Sequence, residues 1–227
     1  MTLPELHERL VSWASADPQD PLLLAARQDH FARYGEPHEE DQSFERRMSG
    51  MLEAYLFDWR PSPGAPTALE RFIEAQGAAL TVEELAAFRA LGANRHGLFE
   101  VRKMEPGRVR LRDAFTGEDV EVTERRQVPG LAKGDLLEAR LMPFEGSLWF
   151  SGAFLYQPRE ARARILAEVK RLKKAAGKNG RPDVEGLLAA LSRMAFKLER
   201  YRNVRLESIY DFTVDARAMT PRPAPKD

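Results

Sequence analysis

Histidine, carboxylate and arginine side chains gather between residues 29 and 60, and chemistry would start there if it starts locally. Asp29, His30, His38, Glu39, Glu40 and Asp41 form a cluster of metal-ligand residue types, since imidazole nitrogens and carboxylate oxygens together can complete a coordination shell. The spacing works against that use. His30 and His38 straddle Gly35 and Pro37, so they cannot sit one turn apart on a single helix. A solvated acidic loop with two surface histidines is the plainer reading. Asp41, Glu45 and Glu53 could act as paired carboxylates in acid–base work, with Arg46, Arg47 and Arg60 close by. Surface ion pairs account for the same residues. Phe44, Tyr55 and Trp59 could stack a flat ligand, but their helical spacing reads as core. His7 and His96 have no carboxylate or nucleophile at suggestive spacing.

Other chemistries are excluded or unsupported. The chain has no Cys, which removes a disulfide scaffold, a thiol nucleophile, an iron–sulfur cluster and Cys-ligated zinc. There is no Gly-rich loop ending in Gly-Lys-Ser/Thr, no dinucleotide fingerprint and no nucleophile elbow. The stretch from Gly130 to Gly134 carries its lysine before the second glycine, so it reads as a strand connection. No metal and no cofactor is expected.

One further group of residues could bind something large. Residues 159–181 hold nine basic and two acidic side chains. Arg162, Arg164, Lys170, Arg171, Lys173, Lys174 and Lys178 are the candidate contacts to a nucleic-acid backbone, which requires clustered cations. Arg193, Lys197 and Arg200 form a second row. The alternative is internal. Residues 1–97 carry net charge −7, residues 98–157 net −1 and residues 158–227 net +8, so the basic helix could instead dock on the acidic helices of the same chain. A membrane role ranks below both, because the apolar stripe of the basic helix lacks Trp and Phe.

Three segments must position these residues. Residues 1–97 read as helical. Thr2 with Glu5, Thr67 with Glu70 and Thr81 with Glu84 have capping-box spacing, and Asp20-Pro21 offers a cap followed by a first-turn proline. Phe44, Met48, Met51, Leu52, Tyr55, Leu56 and Trp59 recur at steps of three and four. Residues 98–157 change to a period of two, with five strand-like runs at 98–104, 108–113, 118–123, 136–142 and 148–156. Pairing Leu111 with Val120 and Val109 with Val122 places Arg112 opposite Asp119 and Arg110 opposite Glu121, so both faces agree on one register. A turn at Glu145-Gly146 pairs Leu141 with Phe150, Ala139 with Gly152 and Leu137 with Phe154. Residues 158–219 return to helix as a basic hairpin. Its second arm carries a short seam of Leu187, Leu191, Met194, Leu198 and Tyr201, a route to an oligomer. Residues 220–227 read as a flexible tail.

Several short strings are similar to an uncharacterised bacterial family, some members of which carry an SEC-C zinc motif. They are Leu56-Phe57-Asp58-Trp59, Leu98-Phe99-Glu100-Val101, Leu111-Arg112-Asp113 with Thr116-Gly117-Glu118, Gly134-Asp135-Leu136-Leu137 with Ala139-Arg140-Leu141, and Ser151-Gly152-Ala153. The resemblance runs from about Leu56 to Ile165 and implies a helical region leading into a β-module. Without Cys, the zinc site does not carry over.

The expected architecture is α+β: an N-terminal helical region, a five-stranded antiparallel barrel-like module of OB or SH3 type, and a C-terminal helical hairpin. The N-terminus shows no secretory pattern and the longest apolar run is far shorter than the ~20 residues of a membrane span, so a cytoplasmic chain is expected. The expected function is a non-enzymatic binding or adaptor protein with a protein partner. The alternatives are nucleic-acid binding through 159–181 and an enzyme whose carboxylate and histidine site the sequence does not reveal.

Overall fold

A computed structural model describes residues 1–124, 131–201 and 203–213. Five helices come first: α1 (Leu3–Ala14), α2 (Pro21–Tyr34), α3 (Phe44–Phe57), α4 (Ala68–Gln76) and α5 (Val82–Leu91). All three capping boxes form, at Thr2 with Glu5, Thr67 with Glu70 and Thr81 with Glu84. Each satisfies two backbone donors that the helix itself leaves open. Asp20 caps α2 by accepting from the Leu22 amide, ahead of Pro21 in the first turn. Gly35 ends α2 at φ 93°, where the Phe196 ring would lie 3.0 Å from any added Cβ. A side chain there would meet both strain and a clash.

Among the described residues six strands follow: β1 (Arg95–Glu105), β2 (Arg108–Asp113), β3 (Asp119–Thr123), β4 (Leu136–Phe144), β5 (Ser147–Phe150) and β6 (Leu155–Tyr156). The β2–β3 register is the expected one, with Leu111 opposite Val120, Val109 opposite Val122, Arg112 opposite Asp119 and Arg110 opposite Glu121. Arg112 grips Asp119 through two bonds of 2.7 and 3.0 Å. Glu121 takes its ion pair from Arg108 rather than from Arg110.

The sheet corrects the expected module in two ways. It is mixed and six-stranded, in the order β1-β2-β3-β5-β4-β6 with β1 also paired to β4, and β3 runs parallel to β5. It is not a regular antiparallel barrel. The second hairpin also departs from expectation. Leu141 does face Phe150, but Leu137 pairs with Tyr156 rather than Phe154. The chain leaves the ladder after Phe150 and rejoins it at Leu155. The intervening residues pass over α3, with Ala153 beside Gly50.

The C-terminal part contains α6 (Arg162–Ala176), α7 (Val184–Arg200) and the short α8 (Leu206–Ile209). The expected tail at 220–227 lies outside the described residues. Helix α7 is central. Every residue from Gly186 to Ser192 is buried, and the helix packs on α2, β1 and α8. Leu187, Leu191 and Met194 of the proposed seam therefore lie inside this chain's own core, while Tyr201 is exposed.

The buried side chains form three clusters. One joins α1–α5 with Met142 of β4. One fills the curled sheet. The third joins Tyr34, Leu98 and Leu136 to α6, α7 and α8. No described helix is long and apolar enough to cross a membrane.

Candidate functional site

Strand β4 is buried on both faces. Leu137, Ala139 and Leu141 point into the sheet core. By the two-residue period of a strand, Leu136, Glu138, Arg140 and Met142 share the opposite face. Leu136 packs among the C-terminal helices and Met142 among the N-terminal ones. Glu138 and Arg140 lie between them, where the two helical cores meet over the sheet. A cleft of about 570 Å³ opens there, walled by α2, α3, the first turns of α7 and residues 153–155.

Arg140 is only 2% exposed. Its guanidinium donates to the Asp58 carboxylate and to Asn94 Oδ1, and its Nε lies 3.4 Å from Glu53 Oε2. Glu53 projects from α3 and is itself 3% exposed. Burial pushes its carboxyl up to about 7, against the pull of Arg140. Arg47, six residues earlier on α3, also borders the cleft but is spent on structure. It donates to Ser43 Oγ at 2.7 Å and Ser192 Oγ at 2.6 Å, over the Phe196 ring. It clamps α3 to α7.

His96 of β1 donates through Nε2 to Glu138 Oε1 at 3.1 Å. With a carboxylate as acceptor, the proton of the neutral ring belongs on Nε2, which leaves Nδ1 as the ring's acceptor. Glu138 Oε2 is buried and has no hydrogen-bond partner among the described residues. His30 of α2 stacks flat on Tyr34, with centroids 4.5 Å apart. Burial, reinforced by His96, pulls its pKa down to about 4, so the ring is neutral near pH 7. Burial, reinforced by Glu138, raises the Tyr34 phenol. The Trp59 indole donates to Asp29 at 2.9 Å. The arrangement offers a largely buried cleft floor with two carboxylates, a carboxylate-oriented imidazole and a guanidinium, beneath aromatic walls.

The sequence candidates scatter relative to this site. The suggested metal cluster is not assembled. His30 enters the cleft, His38 stays exposed on its loop, and Asp41 is taken by Arg200 at 2.6 and 3.0 Å, which lowers its carboxyl to about 2. Among the described residues no three His, Asp or Glu side chains are grouped to hold a metal ion. Asp41, Glu45 and Glu53 do not meet, since Glu45 is exposed and Glu53 is buried. Tyr55 belongs to the N-terminal core, and Trp59 reaches the cleft. His96, Glu138 and Arg140 were not among the sequence candidates. Their period-two spacing made Glu138 and Arg140 look solvent-facing.

The basic candidates divide. Arg162 donates to Glu100 at 2.7 Å and to the Gly134 carbonyl at 3.0 Å. Arg171 pairs with Glu168 of its own helix. Arg164, Lys170, Lys173, Lys174 and Lys178 are exposed. Among the described residues, α6 makes no ion pair with α1–α5, which corrects the idea that its cations face the acidic helices. Helix α7 makes the ties to the N-terminal part: Arg200 holds Asp41 in the expected sense, whereas Glu185 takes Arg33 and Glu199 accepts from Ser43 with the acidic group on α7.

Comparison with curated proteins and with solved structures returns no match. The profile of a family of unknown function (DUF7986) matches residues 25–185, a span that carries His30, Glu53, His96, Glu138 and Arg140 and most of the chain, and the chain therefore belongs to that family.

Proposed function

We propose that this chain is an enzyme that performs general acid–base chemistry on a small polar molecule in the cleft. The observation that carries this reading is that Glu53 and the His96–Glu138 pair all line one cleft, at its largely buried floor. A base oriented by a carboxylate and an acid with a pKa near the working pH are the two groups such chemistry needs. Arg140 and its carboxylates hold the floor rigid. Screening the purified chain against esters, amides, phosphate esters and glycosides tests the reading. The expected result is a turnover that falls at least a hundredfold in both His96→Gln and Glu53→Gln. Activity indifferent to both changes would remove it.

The adaptor reading has no comparable observation behind it. The nucleic-acid reading keeps one, the exposed cations of α6, and it stands second. The strand circuit from β1 through β2, β3, β5 and β4 back to β1 supports reading the β-module as a distorted small barrel of the OB kind.

A further inference from the structure

We infer that the cleft recognises its ligand through a cationic nitrogen, an ammonium or guanidinium group, seated on Glu138 beside the His30–Tyr34 stack. This rests on the reading of the cleft as a small-molecule site and names the chemical class it takes.

The argument begins with the vacancy at Glu138. The side chain is more than nine-tenths buried, one oxygen is committed to His96, and the other meets no donor among the described residues. An anionic oxygen withdrawn from water without a donor is costly. The nearby guanidiniums are turned elsewhere: Arg47 to Ser43 and Ser192, and Arg140 to Asp58, Asn94 and Glu53. No described residue supplies the missing donor, which leaves it to solvent or a ligand. The wall beside it selects among ligands. His30 and Tyr34 stack face to face and both border the cleft, and the outer face of such an aromatic pair attracts cations. His30 is neutral near pH 7 and so does not repel one. An anionic ligand would instead place a second negative charge next to the buried carboxylate. A cation supplies both the hydrogen bond and the countercharge, and a charge-assisted bond is the stronger kind.

Calorimetric titration of the full chain near pH 7.5 in 0.15 M salt tests this with four probes: butylguanidinium, butylammonium, butanol and butyrate. Saturable binding of the two cations is expected, with butanol and butyrate silent. Glu138→Gln, which keeps the side-chain shape, should weaken cation binding at least tenfold. His30→Leu, which keeps the carboxylate and removes a ring face, should weaken it several-fold. Cation binding unchanged in Glu138→Gln, preference for butyrate or inorganic phosphate, or no saturable cation binding would each overturn the assignment. Cation binding without turnover of any amine or guanidine compound would support the assignment and count against acid–base catalysis. A His96-dependent turnover of neutral or anionic substrates, with the cations silent, would overturn the assignment and leave catalysis standing.

Discussion

Glu53 and His30 face one cleft and titrate in opposite senses. Glu53 ionises near 7 in the fold instead of 4.5, so the native state holds a proton the unfolded chain has released. Its contribution to stability is greatest below pH 4.5 and declines as pH rises toward 7. His30 ionises near 4 instead of 6.5, so the native state lacks a proton the unfolded chain binds. Its contribution is complete above pH 6.5 and is lost as pH falls toward 4. Each shift corresponds to about 3 kcal/mol, and between pH 4.5 and 6.5 the two slopes cancel. Relative to wild type, Glu53→Gln is expected to gain stability as pH rises across that window, and His30→Gln to lose it. Urea midpoints at pH 5 and pH 6.5 for the three proteins measure this, and parallel curves would contradict the two environments described.

At the scale of elements, local chemistry decides most of what forms. Each capping Thr and its Glu are three residues apart, so the motif works wherever the helix ends up. Thr67 is almost fully buried between the N-terminal helices, and Thr67→Ala should lower stability by about 1 kcal/mol without shifting the cleft residues, as urea unfolding would register. The β2–β3 register is equally local, because a one-residue slip would expose Leu111 and Val109 and oppose like charges. The second hairpin fails as a local problem. Its ladder breaks after Phe150 so that residues 151–154 can pass α3, where Ala153 comes beside Gly50. No pairing rule within the hairpin signals that interruption, since the partner lies about a hundred residues away.

For the whole molecule, the charge asymmetry between the ends is used by α7 and left open on α6. Reversing Lys170, Lys173 and Lys174, the exposed lysines of this helix, to Glu should therefore change stability by no more than about 0.5 kcal/mol per site. Arg200→Glu, which sets a negative charge beside Asp41, should lower it by about 1 kcal/mol. Thermal melts of the two variants compare these directly. A large loss in the α6 variant would place its cations in the fold after all. The same variant, tested for salt-sensitive loss of oligonucleotide binding, examines the second functional reading, because phosphate neutralisation releases counterions.

The sequence by itself determined the α+β class, four helix starts, the first four strands and one strand register, because each depends on side chains within a few residues or on a period repeated along the chain. It also determined that the centre of the chain is a sheet between helices. It did not determine the cleft. Glu138 and Arg140 alternate with Leu137, Ala139 and Leu141 as any half-exposed strand would, and Arg47 and Glu53 lie on the polar side of an amphipathic helix. Only the tertiary structure lays α2, α3 and α7 over that face of the sheet and turns four residues that look solvated into buried partners. Burial is what shifts Glu53 and leaves Glu138 short of a donor, and it depends on contacts between segments far apart in sequence.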